Sequence, residues 1–435
     1  MFSKILIANR GEIAVRIIRS CKEMGISTVA VYSTADAEAL HVALADQSYC
    51  IGGPALADSY LNQERIISAA LVSGAQAIHP GYGFLSENAR FAALCLRNGI
   101  AFIGPAAETM ERLGDKERLK EIAACAGLPV IPGSAILPTV DAALTAAEVI
   151  GYPVMLKARS GGGGKGIRLV TRPEDMSNAF HAATAEGRAS FGDGAVYLEK
   201  YIFPARHIEM QIMADETGTV VCLGERDCSI QRNHQKLVEE SPSPAVSPAL
   251  REDMTRSIIT AVKTIGYQGL GTLEFLLDAD GNYYFMEMNL RLQVEHPVTE
   301  ALTGIDLVKW QIRIAAGVPI HFTQDSIRFS GASIECRINA RAPGKVDFLH
   351  IPGGPFVRFD TYLAVGTEIS PIYDPLMGKL IVLAGTREEA LRKLQAALCE
   401  LVIQGVPNNV EEQLDIVGDA RFQKGAYSLD FFSQS

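Results

Sequence analysis

The sequence predicts an α/β fold at its start that passes into α+β toward its end, divided as 1–114, 115–320 and 321–435. Three observations lead there. Over residues 4–103, short apolar stretches (KILIA, TVAVY, AQAIH, AFIG) alternate with helical ones, the pattern of a parallel sheet covered by helices. From about Gly114 to Gly317 lie nearly all the unusual polar clusters, and the chemistry is expected in that block. Beyond about Phe322, the strands ASIECRI and GKLIVLA are followed by one amphipathic helix, Arg387 to Leu401, which suggests a smaller α+β unit.

The first helix is expected over Glu12 to Met24, where Ile13, Ile17, Cys21 and Met24 recur at helical spacing. The turn before it, Asn9-Arg10-Gly11-Glu12, lacks the GxGxxG fingerprint, so a nicotinamide or flavin role gains no support. In AIHPGYGFLSENARFA (77–92), Gly81 and Gly83 precede a Ser-Glu-Asn helix start. Loop chemistry plus a cap explains this stretch. Loops at the carboxyl ends of parallel strands also bind ligands, which makes Tyr82 and Glu87 candidates for an active cleft.

VMLKARSGGGGKGIRLV (154–170) sets a glycine run between two strand-like stretches, with Lys157 at the end of the first and Lys165 in the run. Glycine lets backbone N–H groups approach an anion and lysine supplies countercharge, so a phosphate-covering hairpin and a flexible linker are both open. The run is not a P-loop. ERDCSIQRNHQKLVEESP (225–242) gathers Arg226, Gln231, Arg232, His234 and Lys236 in an acidic protein. A solvated basic loop paired with Glu239 and Glu240 explains it alone; contacts to nucleotide phosphates or a small anion are the alternative. Cys228 has no activating arrangement and is read as a structural thiol.

GTLEFLLDADGNYYFMEMNLRLQVEHPVTE (271–300) reads as strand, Asp-Gly turn, strand. A two-residue turn at Asp280-Gly281 sets Glu274 opposite Glu287, and facing carboxylates are relieved by a divalent cation between them. Alternation adds Asn289 and Arg291 to that face, continuing into Gln293 and Glu295. A solvated hairpin face is the competing explanation. Glu295 is a candidate general base, and His296 beside Pro297 is read as packed or capping.

The composition is globular: 435 residues, 48% apolar and 21% charged. A net charge of −10 argues against general nucleic-acid binding. No apolar run is long enough to span a bilayer and MFSKILIANRGE turns polar early, so a cytoplasmic location is expected. The eight cysteines lack a CxxC pair, which suggests reduced thiols and neither disulfides nor a zinc site.

Taken in order, RGEIAVRI, HPGYGFLSEN, the lysine-glycine hairpin, ERDCSIQRNHQK, EMNLRLQVEHPVTE and ECRINA resemble the biotin carboxylase family across nearly the whole chain. The resemblance implies an ATP-grasp fold with a Rossmann-like N-terminal domain (1–114), an ATP-grasp domain (115–320) with a mobile glycine-rich lid at about 131–203, and a biotin carboxylase C-terminal domain (321–435). It implies that Lys116, Lys157, Glu199, Lys200, Tyr201, Ile202, His207, Gln231, His234, Glu274 and Glu287 bind ATP, with Gly163 and Gly164 in the lid. Glu274, Glu287 and Asn289 would hold Mg²⁺ or Mn²⁺, and Lys236, Arg291, Val294 and Glu295 would bind bicarbonate. Glu295 would take the bicarbonate proton, carboxyphosphate would form, and Arg337, with Tyr82, would meet biotin. Biotin is expected on a carrier protein, beside a carboxyltransferase subunit, in a homodimer with Arg16, Arg19, Glu23 and Arg358 as interface candidates. Acetyl-CoA is the default acceptor. The chain departs from the family most in INARAPGKVDFLHIPGG (338–354), where the family carries an acidic AED string and a longer loop.

Overall fold

The computed structural model describes residues 1–159, 166–233 and 235–433, apart from the side chains of Lys116, Glu117 and Phe191. Gly163, Gly164 and His234, named above, lie outside the described residues, as does the side chain of Lys116. Two compact units emerge: 1–128, 206–275 and 287–435 in one, and 129–205 with 276–286 in the other.

The first unit opens with a parallel sheet in the order Gln47–Gly52, Ser27–Ser33, Lys4–Ile7, Ala77–His79, Ala101–Phe102. Lys4–Ile7 lies at its centre because Ile5, Leu6 and Ile7 are apolar on both faces. Ile5 and Ile7 pack with Ile13, Ile17 and Ile18 of the helix Gly11–Glu23, while Leu6 packs with Ile66 and Phe91 on the opposite face. Gln47–Gly52 escapes sequence reading because it is a largely exposed edge strand without an apolar run. The helix Ala89–Arg97 is capped by Asn88, whose side chain accepts the Phe91 N–H, as the Ser-Glu-Asn start suggests.

The same unit carries most of an eight-stranded sheet, ordered Tyr283–Asn289, Gly269–Asp278, Ala205–Ala214, Val220–Arg232, Gln235–Ser241, Ala332–Asn339, Leu376–Ala384, Val357–Thr361. The strand Ala332–Asn339 pairs antiparallel with Gln235–Ser241, so one sheet runs on from the polar block into the C-terminal segment. Ile334, Cys336, Leu380 and Val382 form its inner face with Leu391, Leu394 and Leu398 of the helix Arg387–Glu400. In the second unit, Val154–Ala158 lies between Ile167–Val170 and Val196–Lys200, both antiparallel to it. Val154, Leu156, Val196 and Leu198 pack there with Ala143 and Met176 of two helices.

Two expectations for the 271–300 stretch need correction. The hairpin closes between Asp278 and Asn282 (Asp278 N–H to Asn282 C=O, 2.9 Å) around a turn with Gly281 at φ +86°, one register step from a two-residue Asp280-Gly281 turn. The Asp278 carboxylate accepts the N–H groups of Asp280 and Asn282, which favours the wider turn. Exposure along Tyr283–Asn289 then slips by one between Met286 and Glu287, both half-buried, and Asn289, with Glu287 two residues before it on the same face, comes to the side of Glu274. The strand also ends at Asn289, so Gln293 and Glu295 do not continue the sheet. The Leu290 N–H bonds Glu87 instead of a neighbouring strand, and Glu295 becomes the cap residue of the helix His296–Thr303, with Pro297 in its first turn.

Candidate functional site

Within the first unit, one face of the large sheet brings together Lys236, Glu274, Asn289, Arg291, Glu295 and Arg337. The Lys236 ammonium is the hub: it lies 2.6 Å from Glu209 Oε2, 2.5 Å from Glu295 Oε1 and 3.4 Å from Glu274 Oε1. Burial alone would lower its pKa, but Glu209 and Glu295 outweigh burial and hold it well above the usual lysine value. Glu295 is fully enclosed, taking Lys236 on one oxygen and Arg337 Nη2 on the other at 3.0 Å. Burial would raise this carboxyl, yet Lys236, Arg337 and Arg226 hold it well below the usual range, so it is ionised.

Arg337 projects from Ala332–Asn339 and also donates from Nε to Glu239 Oε1 at 2.6 Å. Glu239 stands directly across the strand pair from Glu335, and both are fully buried. Burial pushes Glu239 up to about 7 despite Arg337, and pushes Glu335 well above the ordinary carboxylate value. Both Glu335 oxygens lack a hydrogen-bond partner among the described residues, the surroundings of a carboxyl kept neutral.

Arg291 is positioned by Glu87 (Nε to Oε2, 3.1 Å), Asn289 Oδ1 (3.1 Å) and Gln293 Oε1 (3.2 Å). Glu274 Oε1 accepts from Asn289 Nδ2 at 2.8 Å, which sets residues 274 and 289 on one face, and alternation carries Glu287 with them. His207 Nδ1 lies 2.7 Å from Gln231 Nε2, and its Nε2 lies 2.9 Å from Glu274 Oε2. Burial would lower the His207 pKa, but Glu274 outweighs it and raises it. Tyr82 is half-buried and its hydroxyl donates to Glu12. In the second unit, Lys157 pairs with Glu199 and Lys200 Nζ donates to the carbonyls of Gly151 and Tyr152, while Tyr201 stacks on Phe203.

Sequence reasoning passes over Glu209 and Glu335, and it reads Arg226 and Glu239 as parts of a solvated basic loop or a phosphate cluster, whereas both are buried. Arg226 is wholly buried and donates to Glu209, Gln211, Thr272 and Thr299. His207, Glu209 and Glu274 present atoms within 4.8 Å of one another, as metal ligands do, but Lys236 and Arg226 already neutralise Glu209. The oxygen set of Glu274, Glu287 and Asn289 is the better fit to a hard cation such as magnesium. Cys228 is buried, and burial raises its thiol well above the ordinary value, consistent with a structural role. Arg16 and Arg358, expected at an interface, both bond Glu300 within the unit. His296 is packed, its Nδ1 2.8 Å from the Gln293 carbonyl. The segment after Arg337 sends Arg341 to Glu412 at 2.9 Å, so the residue standing in the family's acidic string is held by an ion pair. No helix among the described residues is long and apolar enough to cross a membrane.

Residues 1–110 match the family described as "Biotin carboxylase, N-terminal domain", 115–323 "Carbamoyl-phosphate synthase L chain, ATP binding domain", and 335–434 "Biotin carboxylase C-terminal domain". The chain is 52% identical to the biotin carboxylase of Nostoc sp. over 100% of this chain and 99% of that one. It is 49% identical to the 2-oxoglutarate carboxylase small subunit of Hydrogenobacter thermophilus, covering 100% and 94%. Among solved structures, the biotin carboxylase–β,γ-ATP complex of Campylobacter jejuni matches with a TM-score of 0.95 at 44% identity, covering 100% and 99%. The biotin carboxylase domain dimer of H. thermophilus 2-oxoglutarate carboxylase, with MgADP, ADP and bicarbonate, matches with a TM-score of 0.93 at 48% identity, covering 100% and 98%.

Proposed function

The chain belongs to the biotin carboxylase family, a family of ATP-dependent ligases, and from that premise we propose that it carboxylates the biotin of a separate carrier protein as the first half-reaction of acetyl-CoA carboxylation. The observation that carries the reading is Glu295, an ionised carboxylate held between the Lys236 ammonium and the Arg337 guanidinium. Lys236, Arg291 and the Val294 amide bind bicarbonate, and Glu295 takes its proton. A carboxylate held so low is a weak base, so proton transfer is coupled to attack of the bicarbonate oxygen on the γ-phosphorus. The bond from that phosphorus to the ADP oxygen breaks, leaving ADP and carboxyphosphate. Carboxyphosphate splits into carbon dioxide and phosphate; the phosphate takes the biotin N–H proton, and the nitrogen bonds the carbon dioxide. Arg337, with Tyr82, meets the negative charge on biotin.

Glu274, Glu287 and Asn289 hold Mg²⁺ or Mn²⁺, which supplies charge neutralisation of the phosphates when bound. The all-oxygen set of Glu274, Glu287 and Asn289 fits a hard metal ion bound with the nucleotide. Nucleotide contacts fall to His207, Gln231, His234, Glu274, Glu287 and Lys116 in the first unit. Lys157, Gly163, Gly164, Glu199, Lys200, Tyr201 and Ile202 carry those of the second. The protein acts in the cytoplasm as a homodimer, beside a carrier protein and a carboxyltransferase subunit.

The test is ADP release by the purified protein with magnesium and ATP, with and without bicarbonate, then with free biotin. Release that requires bicarbonate and rises with biotin supports the reading. Release indifferent to bicarbonate overturns it, and a bicarbonate response without a biotin response overturns the acceptor.

A further inference from the structure

We propose that Lys379 is a positioning residue for this reaction: it sets the turn that presents Val294 and Glu295 and ties that turn to the loop carrying Tyr82. The inference rests on the reaction assigned above and deepens it.

Lys379 lies in the strand Leu376–Ala384 and is fully buried. Its Nζ donates to the Val294 carbonyl at 2.9 Å and lies 3.1 Å from Glu12 Oε1, the oxygen that also accepts the Tyr82 hydroxyl. The ammonium stands 6.0 Å from the centre of the Tyr82 ring. A peptide unit is planar, so holding the Val294 carbonyl fixes the Glu295 amide and the Cα from which the Glu295 side chain leaves the backbone. That side chain reaches Lys236 and Arg337, so the backbone of Glu295 is held through Lys379 and its carboxylate through two other cations.

A purely structural role explains this lysine poorly. On one side it stands directly opposite Arg337 and on the other opposite Asp360, so a like and an opposite charge flank it and cross-strand pairing gives no net reason for a lysine here. Well-packed apolar residues in place of a buried ion pair are often neutral or stabilising. What an apolar residue cannot supply is a donor to the Val294 carbonyl.

The experiment compares the full-length wild-type protein, Lys379→Met, and the charge-compensated Lys379→Met/Glu12→Gln, by steady-state ADP release with magnesium-ATP. The expected result is a bicarbonate KM raised about tenfold in both variants, since neither restores the donor. The ATP KM stays within about twofold. If Lys379→Met fails to fold, the double variant alone decides. Recovery of the wild-type bicarbonate KM in the double variant would assign Lys379 to charge balance and overturn the proposal, as would equal rises in both KM values. Absence of bicarbonate-driven ADP release in the wild-type protein overturns the assigned reaction and the proposal with it.

Discussion

Among single residues, the decisive contrast is between carboxylates that the fold keeps charged and those it keeps neutral. Glu295 is held low by three cations, whereas Glu239 and Glu335, on the paired strands beside it, are pushed up by burial. A carboxyl whose folded pKa is raised contributes stability that is complete below the unfolded value of about 4.3 and is lost as pH rises through the folded one. For Glu239 that loss runs up to about 7. Glu335→Gln is therefore expected to raise Tm by a few degrees at pH 8 and to flatten the decline of Tm with rising pH; thermal denaturation across about pH 5 to 8 checks this. Glu295→Gln is expected to abolish bicarbonate-dependent ADP release while leaving Tm within a few degrees. Retained release in that assay would remove the base assignment. Charged side chains beside glycines or in basic clusters, such as Lys236 and Arg291, stand out in the sequence. Glu209 does not, and the burial of Arg226 is not legible either, because their strands are buried on both faces and show no alternation against which a polar residue would register.

For the elements, Arg226 shows how a buried charge joins strands that chain order separates. It links Ala205–Ala214, Gly269–Asp278 and the helix His296–Thr303 to its own strand. Arg226→Met leaves Glu209 short of one cation, and a loss of about 3 to 5 kcal/mol in urea-unfolding free energy is expected. The hairpin turn supports a smaller prediction. Gly281 sits at φ +86°, so Gly281→Ala should cost about 1 kcal/mol, read by the same denaturation experiment. An Asp-Gly pair marks a turn plainly but not its width. Here the Asp278 side chain decides that, and the one-residue slip after Met286 restores the face that Glu287 and Asn289 share.

For the whole molecule, alternation of strands and helices over the first hundred residues was enough to read the parallel sheet apart from its exposed edge strand Gln47–Gly52, since its other strands are apolar stretches each followed by a helical one. The continuous eight-stranded sheet was not readable, because no local pattern announces that Gln235–Ser241 pairs with a strand about a hundred residues later. The relatives carry the names of more than one carboxylase at similar identity, so overall likeness does not select an acceptor. Homodimerisation predicts a light-scattering mass about twice the 46.9 kDa of one chain, and a monomeric mass at micromolar protein would refute it.

The pairing of Gln235–Ser241 with Ala332–Asn339 bears on how the protein comes to be made. During synthesis the earlier strand leaves the ribosome well before its neighbour exists, and until then its edge, with Glu239 and Glu240, has no covering strand. Those two carboxylates find Arg337 and Arg387 only once the C-terminal residues arrive. The nascent chain therefore cannot complete the cluster of Glu295, Arg337 and Glu239 before the strand Ala332–Asn339 has emerged, and a chain ending near residue 331 would carry an open, acidic strand edge in its place.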